Sequence, residues 1–412
     1  MKAVVFTLGC KVNSCESSVI LSLLKEKGYE VSQELGFADL YIINTCAVTL
    51  EAEKKSRQAV ARVKKFNKNA KIIVTGCASQ NCPQNFIEKD GVTLVTGTMQ
   101  KQKIAEMLDN NGVKIFENDD FSYNVTPKNV DRTRAYVKIQ DGCNNFCSYC
   151  LIPYLRGRSR SRKIDEIVNE ISNIDASEVV LTAINLTAFN DNGKKLKDLI
   201  LKLSNYDFRL RLGSLEENII DDEFLKSLTT LKDFAPHFHL SLQSGSESVL
   251  KTMNRKYTPQ EFLNGVNAIR KYFPNAGITT DIIVGFPTET EENFLETYNF
   301  AKQVKFSDIH CFVFSPRKGT VAYNLKDLPS SVKKERLNKL LELKKDLKSA
   351  FISENLGKVD NVVCEEYDND FTVGYTGNYI RAYVNEKVEL KKYKVKILTP
   401  YKDGVLCEVI YE

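Results

Sequence analysis

Cys143, Cys147 and Cys150 lie in one short loop, Asp141-Gly142-Cys143-Asn144-Asn145-Phe146-Cys147-Ser148-Tyr149-Cys150, and supply three thiolates from one turn of backbone. A cubane of four irons is normally closed by four cysteines, so three local ligands leave one iron open. An open iron can bind a small molecule and pass it an electron, which predicts chemistry more than storage. Zinc would ask for four ligands in paired knuckles or with histidines. The three histidines, His237, His239 and His310, all lie far from the loop in sequence. A disulfide would ask for an oxidising compartment and usually a small, cysteine-dense chain. The iron–sulfur reading is preferred over both.

A second set is spread along the first third of the chain. Cys10, Cys46 and Cys77 each stand just past the carboxyl end of an expected strand, Ala3–Leu8, Leu40–Asn44 and Lys71–Thr75. In an open parallel α/β sheet such positions converge on one crevice. Gly9 and Gly76 precede two of them and let the backbone turn closely around a bulky inorganic group. Free cysteine is also common in cores, but the shared strand-end position favours a second three-cysteine cluster. Cys15 and Cys82 read as packing residues, with a fourth ligand as the alternative. Cys311, Cys364 and Cys407 read as core.

Elements that could position these groups follow from the apolar pattern. Residues 1–116 alternate short strands with amphipathic helices such as Ser17–Lys27 and Leu50–Phe66, which predicts a doubly wound parallel α/β domain. Residues 117–131 are polar and aperiodic, as in a linker. Residues 132–355 repeat the strand–helix alternation, with strands expected at Ala135–Gln140, Val179–Thr182, Phe208–Ser214, His237–Leu242, Gly277–Val284 and Asp308–Phe314. Six such units predict a partial (β/α)6 barrel working at its carboxyl edge. The Cys143 loop follows its first strand. Residues 356–412 alternate in short segments, which predicts a small antiparallel β-barrel.

The chain has 412 residues, 42% hydrophobic and 27% charged, which suits two or three domains with real cores. Net charge is +5, permitting an anionic partner without demanding one. Eleven cysteines and no signal peptide or membrane-length apolar run predict reduced thiols in a cytoplasmic protein.

C-x-x-x-C-x-aromatic-C, with Tyr149 in the aromatic slot, resembles the signature of radical S-adenosylmethionine (SAM) enzymes. In that superfamily the methionine part of SAM chelates the open iron, and an electron then yields a 5′-deoxyadenosyl radical. End to end, the chain is similar to the methylthiotransferase family. The matching motifs are Thr7-Leu8-Gly9-Cys10-Lys11-Val12-Asn13, Asn44-Thr45-Cys46, Gly76-Cys77, the Cys143 loop, His239-Leu240-Ser241-Leu242-Gln243-Ser244-Gly245-Ser246 and Met253-Asn254-Arg255-Lys256-Tyr257-Thr258. Gly374-Tyr375-Thr376-Gly377-Asn378-Tyr379-Ile380 resembles the TRAM domain pattern.

The resemblance implies a methylthiotransferase domain, a radical SAM barrel and a TRAM barrel in that order. It implies two 4Fe–4S clusters, on Cys143, Cys147 and Cys150 and on Cys10, Cys46 and Cys77, and two SAM consumed per reaction. Leu8-Gly9-Cys10-Lys11-Val12-Asn13 resembles the branch that methylthiolates carbon 2 of N6-threonylcarbamoyladenosine beside the tRNA anticodon. The tRNA anticodon stem-loop, a reduced flavodoxin or ferredoxin-like electron donor and a sulfur donor are the implied partners, with no membrane. Tyr149, Thr182, Ala183, Gln243, Arg255 and Gly285 are the candidate SAM contacts, Arg255 because its bidentate fork suits a carboxylate.

For RNA, Arg156, Arg158 and Arg160 follow directly on the Cys143 loop, where guanidinium geometry suits phosphate. Tyr375, Tyr379 and Arg381 could engage an unpaired base. Against this, residues 357–412 carry eight Lys and Arg against ten Asp and Glu, which disfavours generic electrostatic RNA binding there. Isopentenyladenosine in tRNA and an aspartate of a ribosomal protein remain alternative substrates. A two-cluster electron carrier or iron–sulfur scaffold is the alternative from another class.

Overall fold

The computed structural model describes residues 1–115 and 133–411, so the expected linker 117–131 lies outside the described residues. The chain forms two compact units. The first gathers the described part of Met1–Val130 with Gln140–Arg162 and Ser315–Tyr323; the second holds Lys163–Phe314, Asn324–Glu412 and the strand residues before Gln140.

Unit one is built on a six-stranded sheet with strands β1 (Lys2–Thr7), β2 (Glu30–Ser32), β3 (Leu40–Thr45), β4 (Lys71–Gly76), β5 (Val92–Thr96) and β6 (Gly112–Lys114). Its order is β2-β1-β3-β4-β5-β6, and every pair is parallel. β3 is buried along its whole length, as expected of a central strand covered on both faces. Helix Lys11–Glu26 seals one face with Ile20 and Leu24 over Ala3, Val5, Ile42 and Ile73. Helix Leu50–Lys64, capped by Thr49, seals the other with Ala59, Val60 and Val63 over Val4, Ile43 and Val74. Strand order reverses between β1 and β3, and a crevice opens beyond the strand ends at such a switch point.

The strand β7 (Arg134–Asp141) begins in unit two beside the parallel pair β9 (Glu178–Ala183) and β10 (Arg209–Leu212). In unit one its last two residues pair antiparallel with β8 (Arg160–Ser161). Gly213 interrupts the strand expected at Phe208–Ser214, separating β10 from β11 (Ser214–Leu215). β12 (His237–Leu240), β13 (Gly277–Val284) and β14 (Asp308–Val313) continue in parallel from β11. Alternate residues divide sharply. Val137, Ile139, Val179, Leu181, Leu210, Leu212, Phe238, Leu240, Ile278, Ile282 and Ile309 enter one apolar core with the surrounding helices. Their neighbours along the strands, including Glu178, Arg209, Arg211, His237, His239, Thr279, Asp281 and His310, form a polar face.

Five strands close the C-terminal barrel: β15 (Val359–Asp368), β16 (Phe371–Thr376), β17 (Arg381–Val384), β18 (Lys392–Tyr401) and β19 (Gly404–Val409). All pairs are antiparallel except β17 with β19, which run parallel. Cys364 and Cys407 lie fully buried in its core.

Within unit two, this barrel is joined to the polar strand face by buried charge. Glu178 accepts from Arg211 Nε and Nη2, both at 2.9 Å, and stands 2.5 Å from Arg134 Nε. Arg211 also donates to the carbonyls of Thr376 and Gly377. Burial alone would raise the Glu178 carboxyl, but Arg211 and Arg134 outweigh it and hold the group below its ordinary value. Such a depressed carboxylate stabilises the fold fully above an unfolded value of about 4.3 and loses that contribution as pH falls through the folded value. Glu178→Gln should therefore cost about 3–5 kcal/mol by stranding buried guanidinium charge. Urea midpoints should show the same loss at pH 6 and pH 8; a loss that differed between them would contradict this assignment.

Candidate metal centre

The end of β1, the end of β3 and the end of β4 deliver Cys10, Cys46 and Cys77 to one place in unit one. Cys10 sits at the start of helix Lys11–Glu26, Cys46 directly follows β3, and Cys77 opens the short helix Cys77–Asn81. Two glycines make the approach possible. Gly9 has φ +101°, and a Cβ there would stand 2.7 Å from Cys46 Cβ and 2.8 Å from its Sγ. Gly76 has φ +108°, and a Cβ there would meet the Thr45 carbonyl at 2.5 Å. Burial pushes the Cys46 thiol up to about 11, and the nearby Cys77 and Cys10 thiols add to that. Cys46 and Cys77 are buried and Cys10 is exposed, and thiolates held this close need compensating positive charge. An iron–sulfur core supplies such charge and binds thiolate, so the donor set fits.

Cys143, Cys147 and Cys150 lie in the same unit. Gly142, at φ +71°, admits the Arg158 carbonyl where any side chain would collide. Gln140 Nε2 donates to the carbonyls of Asp141 and Gly142 and to Ser159 Oγ, and the Cys143 amide donates to the Gly157 carbonyl. The Cys150 amide donates to the Cys147 carbonyl, while Ser148 accepts at its carbonyl from Ala322. The three thiols are half-buried, and so is Tyr149. The arrangement is a held loop with accessible sulfurs.

A buried polar network joins the surroundings of both cysteine sets. Arg156, at the end of helix Ile152–Arg156, is fully buried. It donates to Glu16 at 2.8 and 3.1 Å, to Asp141 at 3.0 and 3.2 Å and to Asn13 Oδ1 at 2.9 Å. Lys101 pairs with the same Glu16. Asn13 Nδ2 in turn donates to the carbonyls of Leu8 and Thr45, fastening the ends of β1 and β3. Asn13 and Glu16 lie on the helix that follows Cys10, Asp141 precedes the Cys143 loop, and Arg156 follows it. The sequence reading placed Arg156 among the RNA contacts. Its complete burial and the carboxylate and amide acceptors on both its terminal nitrogens correct that: it is an internal strut. Glu16, Lys101 and Asp141 went unnoticed, because charge type alone does not reveal that four distant residues will be buried together.

Other expected contacts are placed as follows. Arg158 is exposed and lies over the Phe146 ring at 4.5 Å. Arg160 donates to the Arg156 carbonyl and to Met99 Sδ, so it too serves the loop internally. In unit two, Tyr379 stacks between His237 at 4.4 Å and Tyr375 at 4.7 Å, with Arg211 over its ring. Its ring is thus used inside the protein, and the expected base-stacking role of Tyr379 is corrected. Arg381 pairs with Glu366 and Asp403 on the barrel surface.

Thr182 and Ala183 end β9. Gln243, held at φ +67°, is clipped to β13 by hydrogen bonds with Asp281 and Ile283. Arg255 pairs with Glu216 at 3.0 Å and donates to the Ser241 carbonyl, so its fork is already engaged. At Gly285 the close neighbour is the Lys333 side chain, 2.5 Å from an added Cβ.

Residues 137–301 match the radical SAM superfamily, and residues 2–97 match the uncharacterized protein family UPF0004. The threonylcarbamoyladenosine tRNA methylthiotransferase MtaB of Bacillus subtilis is 38% identical, over 98% of this chain and 96% of that protein. The chain belongs to the radical SAM methylthiotransferase family. The MtaB protein of Thermotoga maritima is also 38% identical, over 97% of this chain and 95% of its own. The tRNA-2-methylthio-N(6)-dimethylallyladenosine synthase of Fervidobacterium nodosum is 36% identical, over 89% of this chain and 88% of its own. In fold, the chain is similar to the radical SAM methyltransferase TsrM of Kitasatospora setae, with TM-score 0.55 at 12% identity over 76% of this chain and 73% of that one. As a radical SAM methylthiotransferase it is a transferase that works with SAM and 4Fe–4S chemistry. Among the described residues, no helix is long and apolar enough to cross a membrane.

Glu16→Gln would remove the carboxylate that Arg156 and Lys101 share, leaving Asp141 to Arg156. A loss of about 3–5 kcal/mol in urea unfolding should follow, whereas Lys2→Gln, which breaks an exposed pair with Glu30, should change nothing measurable. Equal effects of the two substitutions would remove Glu16 from its role as a buried counter-charge.

Proposed function

We propose that this transferase places a methylthio group on carbon 2 of N6-threonylcarbamoyladenosine beside the anticodon of tRNA, using two 4Fe–4S clusters and two SAM. The observation that carries the reading is the pair of three-cysteine sets, Cys143, Cys147 and Cys150 on one loop and Cys10, Cys46 and Cys77 at three neighbouring strand ends. Full-length similarity to proteins named for that substrate supports the same branch. When bound, the first cluster supplies the electron that cleaves SAM and the second supplies the sulfur.

The chain's own groups do the rest. Gly9, Gly76 and Gly142 let the chain pack closely at each cysteine set. Arg156 and Lys101 bring buried positive charge within electrostatic reach of Cys77. Tyr149, Thr182, Ala183, Gln243 and Gly285 are assigned to SAM, with Arg255 acting through Glu216. Arg158, exposed beside the loop, is assigned to the RNA backbone, and Arg381 and Tyr375 to the substrate side of the C-terminal barrel. The domains run 1–116, 132–355 and 356–412. A reduced flavodoxin or ferredoxin-like protein and a separate sulfur donor complete the reaction in the cytoplasm.

Reconstituted protein should hold about eight irons per chain, and joint replacement of Cys10, Cys46 and Cys77 by Ala should leave about four. Reductive SAM cleavage should survive that change and disappear in Cys143→Ala. Mass spectrometry of tRNA nucleosides from a strain lacking the gene should show loss of the methylthio form of threonylcarbamoyladenosine. Loss of the methylthio isopentenyl form instead would transfer the assignment to the substrate named for the Fervidobacterium relative. An unchanged nucleoside profile would point to the ribosomal-protein aspartate.

A further inference from the structure

The polar face of unit two contains a group of side chains that neither cluster uses. His239 on β12, Asp281 on β13 and His310 on β14 come from three adjacent parallel strands. His239 Nε2 lies 3.3 Å from Asp281 Oδ2, and His310 Nδ1 lies 3.2 Å from Asp281 Oδ1. All three ligand atoms fall within 4.8 Å of one another. We propose that His239, Asp281 and His310 form a binding site for a single divalent transition-metal ion such as Zn2+, separate from both iron–sulfur clusters.

Three features carry this. The first is distance: a tetrahedral ion with bonds near 2.1 Å sets its ligand atoms roughly 3.4 Å apart, close to the two separations measured here. The second is orientation. His239 Nδ1 is 2.9 Å from Thr279 Oγ1, which itself lies 2.8 Å from His237 Nε2. A metal-binding imidazole is normally fixed in this way, its far nitrogen hydrogen-bonded so that the near one keeps its lone pair. His239 Nε2 faces Asp281 Oδ2, so the nitrogen and the carboxylate oxygen are placed to hold a cation between them. The third is access. His239 is buried, Asp281 half-buried and His310 exposed, so the group opens on one side. Three protein ligands with an open side leave the fourth position to water or substrate.

Two imidazoles and a carboxylate select zinc, iron(II) or their first-row neighbours over calcium or magnesium, which prefer oxygen alone. Binding forms metal–ligand bonds and transfers no electron, so no redox partner is needed. Nothing in this site depends on the substrate proposed above; it stands or falls separately.

The test uses full-length protein with clusters reconstituted anaerobically, freed of loose metal by a mild chelator and titrated with Zn2+ in a calorimeter. One saturable Zn2+ per chain is expected above any cysteine-bound background, with protons released on binding. His310→Ala, His310→Gln and Asp281→Asn should each weaken it by about tenfold or more, since each removes a direct ligand. Cluster absorbance and far-ultraviolet circular dichroism should stay unchanged; His310 is exposed, so its variants keep the measurement interpretable if Asp281→Asn folds poorly. Unaltered Zn2+ affinity in the His310 variants, or no saturable binding at all, would overturn the proposal and leave a His–Asp–His cluster held by its own polar contacts.

Discussion

A guanidinium taken out of water must find compensating charge, and Arg156 finds it in only one arrangement. Its partners Glu16, Asp141 and Asn13 lie 140, 15 and 143 positions away along the chain. Lys101 brings a second buried cation to Glu16 and Asn13, so two positive and two negative groups lie together closed to solvent. Breaking any member leaves uncompensated charge in a low-dielectric interior, which is far more costly than losing an exposed pair. The network therefore dictates more than stability. It ties the helix behind Cys10 to the segments before and after the Cys143 loop, so the two cysteine sets inherit a common frame within unit one. Small polar links extend that frame: Asn13 to the carbonyls of Leu8 and Thr45, and Thr45 Oγ1 to the Thr75 carbonyl.

Unit two solves a different problem. Its strands are apolar on the face that meets the helices and charged on the other, where Arg134, Glu178, Arg209 and Arg211 stand together. Barrel interiors are more often filled by branched apolar side chains. Here Glu178 gathers the guanidiniums, and Arg211 passes the interaction on to backbone carbonyls of the C-terminal barrel. The stacked His237, Tyr379 and Tyr375 continue the same joint. A small barrel carrying more acid than base is thus attached by buried polar contacts of fixed direction, which orient it more narrowly than an apolar seam would.

What could be read beforehand follows from range. Strands β1, β3, β4 and β5 and the six barrel strands announce themselves by local apolar runs, and the position of each cluster cysteine follows from where a strand stops. The edge strands β2 and β6, three residues each, carry no such run. The break at Gly213 comes from the change of sheet, not from the local pattern, which stays apolar and alternating. Arg156 and Tyr379 were misread for one reason. An arginine beside a reactive loop and a tyrosine in a turn carry the same local signal whether they face solvent or a partner brought from far along the chain. The Asp281 group was invisible for that reason too, since its three members come from three strands.

Chemistry and substrate choice are encoded at different densities. The proposed chemistry draws on six thiols, several positive-φ glycines and a buried charge network. Distinguishing a threonylcarbamoyl from an isopentenyl group on the same adenosine needs far less. A site built to hydrogen-bond a polar substituent can reject an apolar one strongly through a few unpaired groups. Relatives named for the two adenosines accordingly stand at 38% and 36% identity to this chain, a difference too small to separate them. Overall likeness therefore carries the reaction. The substrate must be decided by the few side chains that meet the substituent, not by the cysteines.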